Sequence, residues 1–550
     1  MKVNPNKLSG FFKSTFAFAL VISISGCATI SRLQPIDNVG HAHTKKAELD
    51  DLQQKNWLHL DLKSDTVPGM SVDRAYSKII KNRKGETVIV AVLDAGLDLQ
   101  HEDLRDLLWV NSGEIAGNNT DDDGNGYVDD IHGYNFLGDS YHEQLEFTRI
   151  LSRQLGDEQM RENAKGKYEE EYSEAMQGVM QMRQIGHMLS EADSTVQQAL
   201  GKETYDQEDL MKLRAQGRAS ENHVGILMQM LSMEESISKV RGMIGQGLDH
   251  YENKLKYHLN LEFNGREPVG DDPYDIEDRP YGNGDPMILV KEESHGTHVA
   301  GIIAANRTNN TGARGVANNV RIMSIRAVPD GDEYDKDIAL GIRYAVDNGA
   351  KIINASFGKS FSPNAEWVYD AIKYAGENDV LIVHAAGNDG IDLDDPQNPN
   401  FPNDHMLAGV AEISGNVLTV GALTSSFGPG MIAPFSNYGA ENVDIFAPGA
   451  QIYSTMPEDE YDFQSGTSMA APAVAGLAAL IRSYYPKLTA TQVKRIIMNS
   501  GIPVDISVHI AGDEDTEVTL SEISKSGKIA NAYNALILAD RVSRGKEDIR

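Results

Sequence analysis

The chain has 550 residues, 41 % of them apolar, and a formal charge of −31. That length allows several average domains or one large α/β enzyme, with ample apolar material for a core. So large an acid excess argues against nucleic acid as a partner and against adhesion to anionic lipid through basic patches. It suits a soluble body that repels other acidic surfaces.

At the N-terminus Lys2, Lys7 and Lys13 flank a short apolar run from Thr15 to Ile24. The run is too short to span a bilayer comfortably and has the flanks of an export signal. It ends in Ile24-Ser25-Gly26-Cys27, which resembles the lipobox of bacterial lipoproteins: an aliphatic residue, two small ones, then the cysteine that is acylated. Cys27 is the only cysteine, so no disulfide can form within one chain, and lipidation accounts for a leftover thiol in an exported protein. An ordinary signal peptide with an incidental cysteine is the plain alternative. Ala28 follows; by the sorting rule of lipoproteins in enteric bacteria, the lack of Asp there points to the outer membrane. The next residues, to about 64, are polar and mixed and read as a tether.

A helix-like segment (Val72, Ala75, Tyr76, Ile79, Ile80) leads into Thr87–Leu93. That β-branched run fits a strand buried on both faces of a parallel sheet. Asp94-Ala95-Gly96 closes it, placing an acid at the carboxyl end of a central strand, where α/β sheets carry their ligands. A helix cap or turn is the bland reading of the same Asp. The densest acidic stretch runs from Asp121 to Asp130. Asp121, Asp123, Asn125, Gly126 and Asp129 partly imitate the spacing of an EF-hand loop, although its final Glu is missing. With Asp130 they form a candidate Ca²⁺ site, the alternative being a solvated acidic turn.

From about 140 to 265 the composition changes. No proline occurs between Pro68 and Pro268, and ten of the nineteen methionines fall between 160 and 243. Val224, Leu227, Met228 and Leu231 follow helical spacing, as do Ile237, Val240, Ile244 and Leu248. Ser232-Met233-Glu234-Glu235 has the form of a capping box. The segment reads as an all-helical insert, with its methionine stripe as core rather than a binding groove. His295-Gly296-Thr297-His298 then opens a helix of small residues. A zinc-protease pair needs histidines four apart with a Glu between them, and that Glu is absent.

Strand candidates follow at Val320–Val328, Ala350–Ser356, Val380–Ala385, Val417–Leu423 and Val443–Phe446. They alternate with helix candidates at Ile338–Asn348 and Ala365–Asn378, and further helices are expected near Ala490–Met498 and Ile529–Arg541. The alternation predicts an α/β fold built on a doubly wound parallel sheet. Gln464-Ser465-Gly466-Thr467-Ser468-Met469-Ala470-Ala471-Pro472 is a glycine turn opening directly into a very apolar helix, expected to be buried. Ser468 sits in its first turn, where free N–H groups and the dipole favour developing negative charge. Taken alone, an N-cap is the better reading of it.

In chain order Asp94, His295 and Ser468 have the order of the subtilisin triad. Together with Val92–Gly96, His295–Gly301, Ala385–Gly390 and Ser465–Pro472, they make the chain resemble a subtilisin-like serine peptidase over about 70–105 and 285–545. The resemblance implies a subtilisin-like sheet and an endopeptidase acting on peptides or proteins without a catalytic metal. It makes His295 the base, Asp94 its orienting acid, and Asn388 with the Ser468 N–H the oxyanion donors. Ser356-Phe357-Gly358 and Ala385-Ala386-Gly387 match the two segments lining the substrate cleft, and His298 is implied to be structural. Residues 1–26 then form the lipoprotein signal, 27–64 the tether, 65–139 and 266–550 the catalytic domain, and 140–265 the insert. The expected location is a bacterial envelope, with the membrane held through Cys27; no oligomeric state is assigned. Two departures stand out. Ala95 replaces the usual Thr or Ser, and His384 stands where an apolar residue is common, a core histidine being the simpler reading. A catalytically weak peptide-binding scaffold and an esterase are the competing functions.

Overall fold

The computed structural model describes residues 30, 33–37, 48–217, 219–405, 412–510 and 512–549. The β-branched run predicted first becomes β1 (Val88–Asp94), paired in parallel with β3 (Val320–Arg326) on one side and β4 (Ile352–Ala355) on the other. Around it lie β2 (Gly133–Asn135), β5 (Leu381–Ala385), β6 (Val417–Leu423) and β7 (Ile445–Pro448). The nine-stranded sheet runs Ile502–Pro503, Lys528–Ile529, β7, β6, β5, β4, β1, β3, β2, and only the terminal Ile502–Pro503 pairing is antiparallel.

Side chains alternate across β1 as the pleat requires. Val88, Val90 and Val92 enter a core shared with the helices His295–Ala304, Thr467–Tyr484, Ala490–Ser500 and Ala532–Ser543. Ala91 and Leu93 enter the opposite core, shared with Asp335–Asp347 and Ala365–Glu377. Helices therefore cover both faces, which is the doubly wound arrangement. The strands end together at one edge of the sheet, and the functional residues lie along that edge.

Two features carried no clear signal. β2 is only three residues long, and β8 (Ile452–Met456) pairs with β9 (Glu460–Gln464) as a polar hairpin that leads directly into Gly466. The stretch 27–64, expected to be a tether, is partly built into the body. Asp51–Asn56 is helical behind an Asp50 capping box, and the buried Trp57 donates its indole N–H to the Ala450 and Gln451 carbonyls (3.2 and 3.0 Å). Ile36 is buried, and its backbone is bracketed by the Asn534 amide at 2.8 Å on each side. Apolar residues spaced too widely to show periodicity do this packing. Cys27 and the export signal lie outside the described residues.

The insert is helical as expected: Glu146–Arg153, Glu158–Leu200, Gln207–Ala215, Glu221–Met233 and Ile237–Asn253. Its core, however, is made of Leu189, Ala192, Val196, Leu210, Leu213, Val224, Leu227 and Val240. Met176, Met180, Met211, Met233 and Met243 are exposed, and Met228 and Met230 only flank the core half-buried, so the methionine stripe does not form its centre; Leu, Val and Ala side chains fill the inner faces. Ser232 lies inside a helix, and the cap is Ser236, which accepts from the Lys239 N–H at 3.2 Å. The helix Glu146–Arg153 joins the insert to the catalytic body: Phe147 and Ile150 pack with Ala164 and Ala175 of the insert. Its Glu146 is buried against Arg149 (2.5 Å) and Lys359 (2.6 Å). Among the described residues no helix is long and apolar enough to cross a membrane.

Candidate active site

The helix Thr467–Tyr484 is buried at every residue except Ser468, which is half-exposed. An almost wholly apolar helix has to lie in the core, and only its first turn reaches the sheet edge. Pro472 lies four residues after Ser468 and has no N–H to offer the Ser468 carbonyl. That carbonyl instead accepts from the Ser356 hydroxyl at 2.9 Å, and the Ser468 hydroxyl donates to the Ser356 carbonyl at 3.1 Å. The Asn354 amide, at the end of β4, holds Ser356 Oγ at 2.9 Å. Ser468 is thus tied to the end of β4 from both its main chain and its side chain.

Asp94 ends β1. Its Oδ1 accepts from His295 Nδ1 at 2.7 Å and from the Ala95 N–H at 2.8 Å. His295 opens its helix one residue before Gly296, whose place no larger residue could take. A Cβ there would lie 2.2 Å from the Gly96 carbonyl oxygen. Burial alone would depress the His295 pKa, but the Asp94 charge and hydrogen bond outweigh it and raise the value above the ordinary 6.5. With Nδ1 committed to Asp94, the Nε2 edge has no protein partner among the described residues. It is the edge left to act on the serine proton. Catalytic hydrogen bonds of this kind commonly close only around substrate.

Asn388 follows β5. Its Oδ1 accepts from the Thr467 N–H at 2.8 Å and the Thr467 hydroxyl at 3.0 Å, which fixes the amide with Nδ2 turned the other way. A Cβ placed on Gly466 would lie 3.4 Å from Asn388 Nδ2 and 3.5 Å from the Ser468 nitrogen. Both nitrogens therefore lie close to one point, the place a side chain at 466 would occupy and a glycine leaves empty. Gly387 adopts a φ of +101°, and a Cβ on it would meet Asn437 Nδ2 at 2.3 Å.

These positions fall inside the stretch recognised by the subtilase family model, residues 85–522. The chain belongs to the subtilase family. It is 42 % identical over 212 residues to the thermophilic serine proteinase of Bacillus sp. strain AK1, covering 38 % of this chain and 46 % of that one. It is 40 % identical over 201 residues to subtilisin DY of Bacillus licheniformis (36 % and 67 %). With the major intracellular serine protease of Bacillus subtilis strain 168 it shares 35 % over 227 residues (40 % and 66 %). The match thus spans between about half and two thirds of these relatives.

The two segments expected to line a cleft in this subtilase touch the start of the helix Thr467–Tyr484: Ser356 bonds Ser468, and the Gly387 N–H donates to the Thr467 hydroxyl at 3.0 Å. Ala385 and Ala386 expose carbonyls to Asn400 Nδ2 (3.5 and 3.0 Å), and Asn400 Oδ1 would lie 2.4 Å from a Cβ on Gly358. Asn400 therefore sits between the two segments. It was missed because it lies in a loop with no motif of its own. His384 is buried and donates from Nε2 to the Phe357 carbonyl at 2.8 Å; burial lowers its pKa to about 4. His298 donates from Nε2 to the carbonyls of Ile452 and Asp462 (3.0 and 3.2 Å), and burial lowers its pKa to about 3. Both are neutral struts rather than bases.

The acidic loop is arranged differently from its EF-hand-like spacing. Asp121 accepts from the N–H groups of Gly124, Asn125 and Gly126, and Asp129 from those of Gly117, Asn118 and Asn119. Their oxygens are used in shaping the loop. Asn125 Oδ1 likewise accepts from the Tyr127 N–H, while its Nδ2 bonds Asp123 and Asp130. The carboxylates that converge are Asp123, Asp130 and Glu114, with oxygens all within 4.8 Å of one another. Glu114 was missed because it stands seven residues before the acidic run.

Asp94 Oδ2 is buried and has no hydrogen-bond partner among the described residues. An unsatisfied buried acceptor costs about 1–3 kcal/mol. Ala95→Ser brings a hydroxyl beside that carboxylate, and one net hydrogen bond of about 1 kcal/mol should raise kcat/KM roughly fivefold. Ala95→Val, which fills the same space without a donor, should give no gain, and equal effects of the two substitutions would refute the account. The raised His295 pKa has a direct consequence too. Only neutral imidazole accepts a proton, so activity should fall as pH drops through a midpoint above 6.5, the ordinary value from which His295 is raised. Asp94→Asn should lower the rate by about 10⁴ and move that midpoint downward. A pH–rate profile of both proteins checks this.

Proposed function

We propose that this subtilase is a serine endopeptidase with Asp94, His295 and Ser468 as its triad. The observation that carries the proposal is the Asp94–His295 hydrogen bond of 2.7 Å, and the closeness of Asn388 Nδ2 and the Ser468 nitrogen to one point at Gly466 supports an oxyanion site there. An extended peptide would lie between Ser356–Gly358 and Ala385–Gly387 and pair with them as an added strand, a mode that reads backbone more than side chain. A substrate N–H taken up by the Ser356 carbonyl would displace the Ser468 hydroxyl, which now occupies it. The freed hydroxyl can then turn toward His295.

The steps follow from that arrangement. Ser468 Oγ attacks the peptide carbonyl carbon while His295 Nε2 takes its proton. The oxyanion is held by Asn388 Nδ2 and the Ser468 N–H at the positive end of the helix. Asp94 stabilises the imidazolium, which gives its proton to the leaving amine. Water repeats the sequence on the acyl-enzyme and frees the acid product. The unsatisfied Asp94 Oδ2 is the one observation favouring the weaker, peptide-binding reading.

The all-oxygen set of Glu114, Asp123 and Asp130 suits a hard cation, and Ca²⁺ bound there would be structural. Burial raises the Asp130 pKa and the nearby Asp123 charge adds to it, as expected of a carboxylate that gains from a neighbouring cation. We also propose that Cys27 is acylated and anchors the chain to a bacterial envelope membrane, most simply the outer one; the lipobox-like sequence supports this.

Ser468→Ala should lose about 10⁶ in kcat, as it does in a subtilisin, with its thermal transition unchanged. Asn388→Ala should cost about 10²–10³ in kcat with little change in KM. Unaltered peptide turnover by purified Ser468→Ala would end the peptidase reading. A calcium-selective chelator should lower the melting temperature, and added Ca²⁺ should restore it. Asp123→Asn should remove most of that difference, and superimposable melting curves would dispose of the site. Cys27→Ser should move the protein from the detergent phase to the aqueous phase. Wild-type protein already in the aqueous phase would contradict the anchor.

A further inference from the structure

Outside the active site, three segments distant in sequence bring two histidines and a carboxylate together. His142 lies at the N-terminal root of the insert, His258 near its C-terminal root, and Asp330 follows β3. Their ligand atoms all lie within 4.8 Å of one another. His142 Nδ1 is 2.6 Å from Asp330 Oδ2, and His258 Nε2 is 3.3 Å from the same oxygen. Among the described residues, His258 Nε2 is buried and makes no other contact that counts as a hydrogen bond.

We propose that His142, His258 and Asp330 form a transition-metal site, best suited to Zn²⁺, that clamps both roots of the helical insert to the catalytic body. Two imidazoles and one carboxylate are a donor set for zinc rather than for calcium. A tetrahedral ion holding its ligands at about 2.0–2.1 Å needs ligand atoms roughly 3.3 Å apart. The His258–Asp330 spacing matches this, the His142–Asp330 contact has to open slightly, and the two histidines lie within 4.8 Å of each other. The fourth position stays open to water, since the three side chains are 23 %, 16 % and 36 % exposed.

The surroundings hold these ligands in place before any ion arrives. His142 stacks on Tyr257, with ring centres 3.7 Å apart and planes 11° from parallel. The Asp330 N–H donates to the Tyr141 carbonyl (2.9 Å), the Glu143 N–H to the Asp330 carbonyl (2.8 Å), and the Leu145 N–H to the His258 carbonyl (3.1 Å). Two residues before Asp330, the Val328 N–H donates to the Asp94 carbonyl at 3.2 Å. The clamp therefore joins the insert to the chain segment bonded to the triad's acid.

The test is a titration of Zn²⁺ into full-length Ser468→Ala protein, which cannot cut itself, with excess Ca²⁺ present to occupy the acidic loop. One equivalent should bind, survive desalting and raise the melting temperature. His258→Gln and Asp330→Asn should each weaken binding by at least about tenfold. Independently of either variant's folding, Co²⁺ loaded in place of Zn²⁺ should give the ligand-field spectrum of a four-coordinate nitrogen–oxygen site. No zinc retained after desalting, an affinity unchanged in both variants, or a six-coordinate aqua-type cobalt spectrum would each overturn the proposal and leave the cluster a hydrogen-bonded ion pair.

Discussion

A helix that is buried on all sides has only its end to offer, and the chemistry of this protein depends on where that end comes out. From Thr467 to Tyr484 the chain is small and apolar, and the sheet packs against it along its length. Its first turn emerges at the edge where β1, β4, β5 and β7 stop. Ser356, Asn388 and Gly449 therefore gather around the start of this helix, although they are spread along much of the catalytic sequence. The Gly466 N–H donates to the Gly449 carbonyl at 2.9 Å, which pins the entry to the helix on the end of β7. Pro472 then removes one helical hydrogen bond, and the carbonyl it leaves over becomes the attachment point for Ser356.

Glycine is required where elements approach one another too closely for a side chain. Gly296 lets the base helix start against the Asp94 turn, and Gly466 keeps open the space that Asn388 and Ser468 face. Gly296 is excluded from substitution by the Gly96 carbonyl, whereas a Cβ on Gly466 would fit in ordinary contact but would sit beside Asn388 Nδ2 and the Ser468 nitrogen. The insert obeys the same geometry. It leaves the catalytic body after the helix Glu146–Arg153 and returns at His258, and both roots meet beside the segment that follows β3.

Much of this was legible from residue order. Continuous β-branched runs gave the central strands to within a few residues because both faces are buried, so no alternation was needed to find them. The motifs around Asp94, His295 and Ser468 carried the family resemblance. What escaped was set by long-range contact rather than local pattern. Trp57 packs through an indole bond to residues almost 400 positions away. Glu114 joins Asp123 and Asp130 only because the intervening loop folds back on its own amides. The methionines of the insert read as core by composition, yet the inner helix faces were already filled by leucine, valine and alanine. Asp94 Oδ2 could be suspected from Ala95, but only the packed site shows that no other donor replaces the missing hydroxyl.

The central claim is that Ser468 and Asn388 act on one developing oxyanion in the space beside Gly466. A crystal structure of the protein treated with a peptidyl phosphonate tests it most directly. The account predicts phosphorus bonded to Ser468 Oγ, with a phosphoryl oxygen within hydrogen-bond distance of both Asn388 Nδ2 and the Ser468 nitrogen. It also predicts the inhibitor's backbone N–H on the Ser356 carbonyl in place of the serine hydroxyl. An adduct whose phosphoryl oxygen turns to solvent and leaves Asn388 Nδ2 without contact, or no adduct on Ser468, would contradict it.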